Sequence, residues 1–532
     1  MGIPFGPPEN IQDPQAAAWM GQLYRWLISP ESADGPNFLQ SGDGAGARTA
    51  QTKLREMEVS PQDYGAAANG TTNDRAALAA ADTATAARIV CPAGTYLCST
   101  SLTITSPLTM RPGAIISIPT GQTLTINGFF DAGRHQCFSL AGTGKVVFAV
   151  TATDYVRPEW FGAVGDKSTD DSAGVQAAVT ASLNNAAQPF PILCSGRYKI
   201  VTDVNIDRQV GSSPDYIGTG VLRFVGHGLV AGFYATTATD MFTTSIEVTT
   251  APQSEAIDFE NLQFEVDAAS TAAYVLDGEA FLRVNFKNCR FFMVKCLTST
   301  IYTQSIHFEK CLMRLWSGVF FDCPADPCYD ISFSGCKIES GDALWTGGIC
   351  SGCRFVDNLC EYITGRPIKF NVSAGVTVSF NYFEGCDMST ADTTDDPYIE
   401  FGVPFGVAHI GNHYALTAGQ IADADFYAVY WWDADATGDY SARGLSAGNY
   451  CSGKLHDKSD LLTYGDDNGL LIVGDDCTDS PYPTSKMMGS LKVPTGLIAA
   501  ALVNYADNAA AVAAGLVADD FFRTGGAVQI VT

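Results

Sequence analysis

Three successive turns in the second half of the chain each bring two carboxylates together in sequence: Glu339 with Asp342, Asp357 with Glu361, and Glu384 with Asp387. Hydrolysis of a glycosidic bond needs two such groups, roughly 5–9.5 Å apart, flanking the bond to be cut. Glu339, Asp357 and Glu384 are the acid/base candidates, with no role assigned within the three. Asp342, Trp345, Arg354, Glu361 and Tyr362 are the substrate-binding candidates, because the two aromatic faces suit sugar rings. Glu260 and Glu309 stand in a second line. Elimination from a uronic acid is the alternative chemistry; it needs a base for proton abstraction and a cation for the sugar carboxylate. Arg290, Lys337 and Arg354 could serve it, although they equally fit pairing with outward acids. The carboxylates likewise fit solvated turns on a very acidic chain. The six histidines (His135, His227, His307, His409, His413, His456) form no Ser-His-Asp or metal constellation. Asp-Asp pairs at 395–396, 466–467 and 475–476 lack a calcium-loop spacing. Neither metal nor cofactor is expected.

The elements that must hold these residues are strands. From about 190 to 450, short runs of Val, Ile, Phe, Thr and Cys are broken by Gly, Asn and Asp, with no long amphipathic helix. Within that stretch "FENLQF" (259–264), "FKNCRF" (286–291), "FEKCLM" (308–313), "FSGCKI" (333–338) and "CSGCRF" (350–355) share one template, with "FNYFEG" (380–385) a looser sixth. Such spacing suits one coil of a solenoid each. Alternation points Phe286 inward, and Cys289 and Phe291 inward again after a bend. The bend falls on Asn261, Asn288, Lys310, Gly335 and Gly352; Asn and Gly tolerate a left-handed backbone, and Lys310 is the exception. Stacked coils would align Leu262, Cys289, Cys311, Cys336 and Cys353 as an internal ladder. The expected fold is all-β, a right-handed parallel β-helix. Its coils lie about 4.8 Å apart, so side chains one or two coils apart reach the hydrolytic separations.

A second repeat marks where strand structure begins. "QDYGAAANGTTND" (62–74) and "EWFGAVGDKSTDD" (159–171) both set an aromatic before Gly-Ala, then a polar turn, then Thr and a closing Asp. Each is followed by a short Ala-rich helix, with Asp74 or Asp171 at its capping position, and then by similar strands at 88–104 and 191–206. Ahead of both, "DPQAAAWMGQLYRWL" (13–27) carries Trp19, Leu23, Trp26 and Leu27 at helical spacing. The expected organisation is an N-terminal helix and linker (1–46), a first small β domain (47–154), the β-helix (155–455) and a C-terminal domain (456–532).

Composition narrows the partners. Fifty-seven acidic against 31 basic residues give a net charge of −26 over 532 residues, which argues against nucleic acid. No charged-then-apolar leader opens the chain and no apolar run reaches spanning length, so membrane insertion is not expected. Ten of the 16 cysteines fall within 289–386, in apolar runs where a small thiol packs well. The "GICSGC" pair (Cys350, Cys353) has zinc-like spacing but no second pair beside it.

"WFGAVGDKSTDDSAGVQAAV" (160–179) resembles the opening motif of the pectate-lyase-like β-helix superfamily found in bacteriophage tailspikes and capsule depolymerases. "RTAQTKLREMEVSPQDYGA" (48–66) resembles the segment preceding that motif in such proteins, and "AAGLVADDFFRTGGAVQIVT" (513–532) a short motif of phage tail proteins. The resemblance covers about a sixth of the chain. It departs in the first copy, where Asn73 stands in place of Asp170. It implies a homotrimer, an N-terminal anchor (1–35) on tail, baseplate or portal-adaptor proteins, and a host surface polysaccharide as target. The implied location is the virion, after assembly in the host cytoplasm. A non-catalytic receptor-binding or structural tail protein on the same fold is the alternative.

Overall fold

The computed structural model describes residues 58–477, apart from 85–87, 185–188, 207–219, 229, 237–238, 245–255, 269–272, 282, 387–396, 423–425, 433–442, 458–468 and 474, together with four short strands outside that range. The expected N-terminal helix over 13–27 and most of 456–532 lie outside these residues. The chain divides into two compact units, Met1–Asp326 with Ile331–Leu344, and Pro327–Asp330 with Trp345–Thr532.

The first unit begins with three coils of a small solenoid. Strands pair in parallel on three faces, Ile89–Cys91 with Leu108–Met110 and Phe130–Ala132 on one of them. The register sets Tyr96 against Ile116 and Ile116 against Phe138. All three are fully buried. This period follows from the sequence, because each strand contributes one or two apolar side chains that only the next coil can cover.

Both copies of the repeated phrase start a stack. Pro61–Tyr64 and Pro158–Phe161 form single 3-10 turns closed by left-handed Gly65 and Gly162. The expected capping by Asp74 and Asp171 takes a different form. Neither side chain bonds its own helix, Arg75–Thr83 or Ser172–Leu183. The buried carboxylate of Asp74 instead accepts the N–H groups of Ala67 and Ala68, and that of Asp171 accepts those of Val164, Gly165 and Lys199. Asn73 and Asp170, one residue earlier, accept from Arg75 and Ser172 at the helix starts. The turn has pulled the buried acid back because its exposed N–H groups would otherwise lie under the first coil unpaired. The second copy also seals the first stack: Trp160 donates its indole N–H to Gly133 O at 3.0 Å and packs edge-on against Phe130.

Longer coils follow. Phe224, Phe259, Phe286, Phe308 and Phe333 stack ring on ring, with centroids 4.4–5.1 Å apart between neighbours. Left-handed corners follow these strands at Asn261, Asn288, Lys310 and Gly335, so Lys310 takes the same backbone as its neighbours. The corner N–H groups of Asn261, Asn288 and Lys310 donate to the carbonyls of Lys287, Glu309 and Ser334 in the next coil. Leu262, Cys289, Cys311 and Cys336 line up inside, and the Cys289 and Cys311 thiols donate to Phe259 O and Phe286 O. Every cysteine with a described side chain is buried and outside any disulfide, Cys350 and Cys353 included.

In the second unit the ladder changes chemistry, and one expectation changes with it. "CSGCRF" does not follow the template. Cys353 precedes Phe355 by two residues, the corner after Phe355 is left-handed Asp357, and the next inward residue is Asn358. Gly352 turns a different corner, its N–H donating to Ala374 O. Matching on Gly-Cys-Arg-Phe misplaced the segment because the inward Phe, not the Cys, sets the strand phase. Asn358, Asn381, Asn412 and Asn449 then run as a buried file. The amide of each donates to the side-chain oxygen of the next, at 2.9–3.0 Å, and the last donates to buried Asp475. The same oxygens accept the backbone N–H of the preceding Asn.

Asn412→Ala would strand the N–H groups of Asn381 and a carbonyl of Val378. The expected loss is about 2–4 kcal/mol, read as a lower urea midpoint, against about 1 kcal/mol for Cys311→Ala. Equal costs would show that the file is not cohesive.

Candidate active site

Of the sequence-selected carboxylates, Glu361 and Glu384 are brought side by side. In the first unit, Glu339 ends strand Lys337–Glu339, ion-paired with Lys337 and with Arg314 at 3.6 Å. Asp342 is a structural latch, accepting the Gly318 N–H at 3.0 Å. The remaining candidates are in the second unit. Trp345 is 1% exposed and meets Phe370 edge-on at 4.7 Å, so the sugar-stacking face expected of it is absent. Burial follows from its place in the strand, where it points into the coil. Tyr362, half exposed on a left-handed corner, does keep an open face. Arg354 is exposed at the start of strand Arg354–Val356. Asp357 occupies the corner beyond that strand, its N–H on Ser379 O. Glu361 rather than Asp357 lies beside Glu384, directly opposite it on paired strands Leu359–Glu361 and Tyr382–Glu384, where the Tyr382 hydroxyl donates to Glu384 at 3.1 Å. Asp387 is outside the described residues.

The strongest electrostatic group lies elsewhere in the first unit, where long strands cover one face of the coils. Val204 pairs with Phe242, Phe242 with Leu276, and Leu276 with Leu297, all pointing inward. That register stacks polar neighbours from several coils: Asp203 and Asp240 just before their strands, Tyr274 and Asp277 in Tyr274–Phe281, Lys295 opening Lys295–Gln304, and Asp322 in Val319–Tyr329. Tyr274 lies directly opposite Lys295. The Lys295 side chain is 3% exposed, with its ammonium 3.7 Å from the centre of the Tyr274 ring, a cation–π contact. The Tyr274 N–H donates to Asp240 Oδ1 at 2.7 Å.

Burial governs the charges here. It pushes Asp240 up to about 6, with the charges of Asp277 and Asp203 adding to the rise, and the Tyr274 N–H and Lys295 opposing it. Burial raises Asp277, helped by Asp203, and raises Asp322 against the pull of Lys295. Lys295 is lowered by burial while Asp322 and Asp240 sustain its charge. The result is a carboxyl able to hold a proton near neutral pH beside a second carboxylate and a cation, the pattern that marks acid/base sites. No three His, Cys, Asp or Glu side chains among the described residues converge as metal ligands. The sequence signal for this group is a single ionisable residue inside an apolar strand run, as in "YVLDG", "FMVKCL" and "VFFDC". Looking for paired acids in turns passes over it.

Comparison with solved structures places phage tailspikes among those similar to this chain. The tailspike protein of Acinetobacter baumannii phage AM24 is 20% identical, with a TM-score of 0.39, over 58% of this chain and 53% of that one. The tailspike of Acinetobacter phage vB_ApiP_P1 is 13% identical, with a TM-score of 0.36, over 66% of each chain. The A-module of the Azotobacter vinelandii mannuronan C-5 epimerase AlgE4 is 13% identical, with a TM-score of 0.28, over 81% of this chain and all of that module. This chain therefore spans about half the length of the first tailspike and just under two thirds of the second. No protein-family model and no curated protein matches it. At these identities and scores the likenesses carry no argument. The fold rests on strand pairing and the site on its geometry.

The charge network makes a direct prediction. In carboxyl carbon-13 NMR, Asp240 titrates near 6. Lys295→Met moves it up by removing the cation that favours the carboxylate, and Asp277→Asn moves it down by removing a repelling charge. An Asp240 midpoint in the ordinary range near ~4 would dissolve the site.

Proposed function

We propose that this chain is a tailspike-type protein that binds and cuts a polysaccharide by endo-glycosidic hydrolysis at the Asp240 group. The observation that carries the proposal is the half-buried Asp240 carboxyl, raised to about 6 and hydrogen-bonded to the N–H of Tyr274, whose ring carries the Lys295 ammonium. Asp240, protonated, donates to the glycosidic oxygen as the bond breaks. Asp277 faces the developing positive charge at the sugar carbon and acts in its carboxylate form, as nucleophile or as base for water. Lys295 favours the carboxylate form of Asp240 and fixes the Tyr274 ring. The repeated opening motif and the C-terminal segment support placement on a phage tail. Assembly as a homotrimer, an anchor in residues 1–35 and a host surface glycan complete the reading.

Hydrolysis is favoured over elimination because the group offers two carboxyls of different proton affinity. A binding-only tail protein would have no need of either, and the same solenoid would stack without them.

The test follows chain length by size-exclusion chromatography over a panel of bacterial surface polysaccharides. Asp240→Asn is expected to slow cleavage about 10²–10⁴-fold, while Glu339→Gln, Asp357→Asn and Glu384→Gln retain it. Because Asp240 must be protonated to donate, the rate falls as pH rises above about 6. Full activity in Asp240→Asn would overturn the assignment. A product with unsaturated-sugar absorbance would convert hydrolase to lyase.

A further inference from the structure

In a chain of net charge −26, one face of the first unit is cationic. The short strands Arg197–Ile200, Gly232–Ala235, Gln263–Val266, Arg290–Phe292, Leu312–Arg314 and Lys337–Glu339 pair in that order, coil upon coil. Their middle residues Tyr198, Phe233, Phe264, Phe291, Met313 and Ile338 point inward and are buried. The outward positions therefore form two rows along the stack. One row holds Arg197, Gln263, Arg290 and Lys337, with Gly232 and Leu312 between. The other holds Lys199, Tyr234, Glu265, Phe292, Arg314 and Glu339. Lys167 joins them from the opening loop, 4.6 Å from the centre of the Tyr234 ring.

Six cations share this face with four acids: Asp166 and Asp170 stand opposite Arg197 and Lys199 in the first strand, and Glu265 and Glu339 serve as brackets. Glu265 accepts from Lys167, Arg197 and Gln263. Glu339 holds Lys337 and Arg314. Asp166 and Asp170 are engaged by Thr169, Ser168 and Ser172. Lys167 and Arg197 are thus fixed at one end of the face and Arg314 and Lys337 at the other, with Arg290 between them. Beside Arg290 and Gln263 lies a cavity of about 330 Å³, floored by Gly226 and Gly228 and walled by Asn261 and Asn288. Tyr234 and Phe292, two coils apart and partly exposed, supply apolar faces in the same row.

From Arg197 to Lys337 the face runs five coil spacings, about 24 Å at ~4.8 Å each. One spacing is close to the length of one sugar in an extended glycan. The face also adjoins the Asp240 group: Arg290–Phe292 leads through a left-handed corner at Met293 to Lys295.

We propose that this face is the binding groove for an acidic polysaccharide, a chain carrying uronic-acid carboxylates, laid along the stack and led around the Met293 corner to the Asp240 group. The proposal rests on the depolymerase reading for what happens at that corner, and on charge and geometry alone for what binds. Carboxylates of the glycan would displace Glu265 and Glu339 as partners of the cations, with sugar faces resting on Tyr234 and Phe292. Overall negative charge then rejects acidic chains everywhere except along this strip.

The probes are polygalacturonate, the same polymer with its carboxyls reduced to alcohols, and dextran, with binding measured by affinity electrophoresis on wild type and Asp240→Asn. Polygalacturonate is expected to bind, to weaken at least ~10-fold between low and high salt, and to bind at least ~10-fold better than either neutral polymer. The triple variant Arg290→Ala/Arg314→Ala/Lys337→Ala should lose that preference with an unchanged circular-dichroism spectrum and melting curve, and Lys in place of both arginines should keep it. Absence of salt-sensitive binding, equal binding to the reduced polymer, or an unaffected triple variant would each overturn the proposal. Acidic-chain binding without cleavage of any glycan would remove the depolymerase reading and leave this one. Cleavage with no preference for acidic chains would do the reverse.

Discussion

The register of one coil upon the next is the constraint on which everything else depends. Phe259 is stacked between Phe224 and Phe286 of the neighbouring coils, and the corner N–H of Asn261 is satisfied by Lys287 O in the following coil. Each coil is therefore insufficient alone and complete when stacked. The condition is strict because strand alternation has a period of two: a slip of one residue would turn each inward ring out to solvent. Left-handed corners hold the phase, and where the sequence places Lys310 rather than Asn or Gly, the stack still imposes that backbone.

The same register makes a surface out of residues remote in sequence. Once Phe242, Leu276 and Leu297 are aligned, Asp240, Tyr274 and Lys295, each two residues earlier, come into line across three coils. No loop has to be folded over them. Crowding of carboxylates with partial burial then raises the proton affinity of Asp240, and Lys295 limits the rise. The cationic rows on the neighbouring face arise by the same route, one residue per coil, which is why a protein so acidic overall can present a basic strip.

Interior polar chemistry differs between the two units. Thiols in the first need only one carbonyl each, and they tolerate an apolar neighbour. The asparagines of the second form a file in which the amides are held by the coils on both sides, ending on Asp475. A buried amide without its neighbour costs far more than a buried thiol, so the second unit is bound to its register by polar satisfaction as well as by packing.

The sequence by itself determined the coil. Recurrent Phe with Asn or Gly two residues later, and the repeated aromatic-Gly-Ala phrase, specify strands, corners and starting points, because these are local requirements of backbone and burial. It also showed that the thiols pack rather than bridge. It misaligned Cys353, since a matching string of residue types does not reveal which side chain faces in. Pairs of acids close in sequence drew attention to Glu339, Asp357 and Glu384, yet the structure sets Glu361 against Glu384 and buries Trp345. Only the tertiary structure decided which charges meet. Neighbours across a solenoid are separated by a whole coil of chain, and proton affinity depends on burial and charges that those distant coils supply.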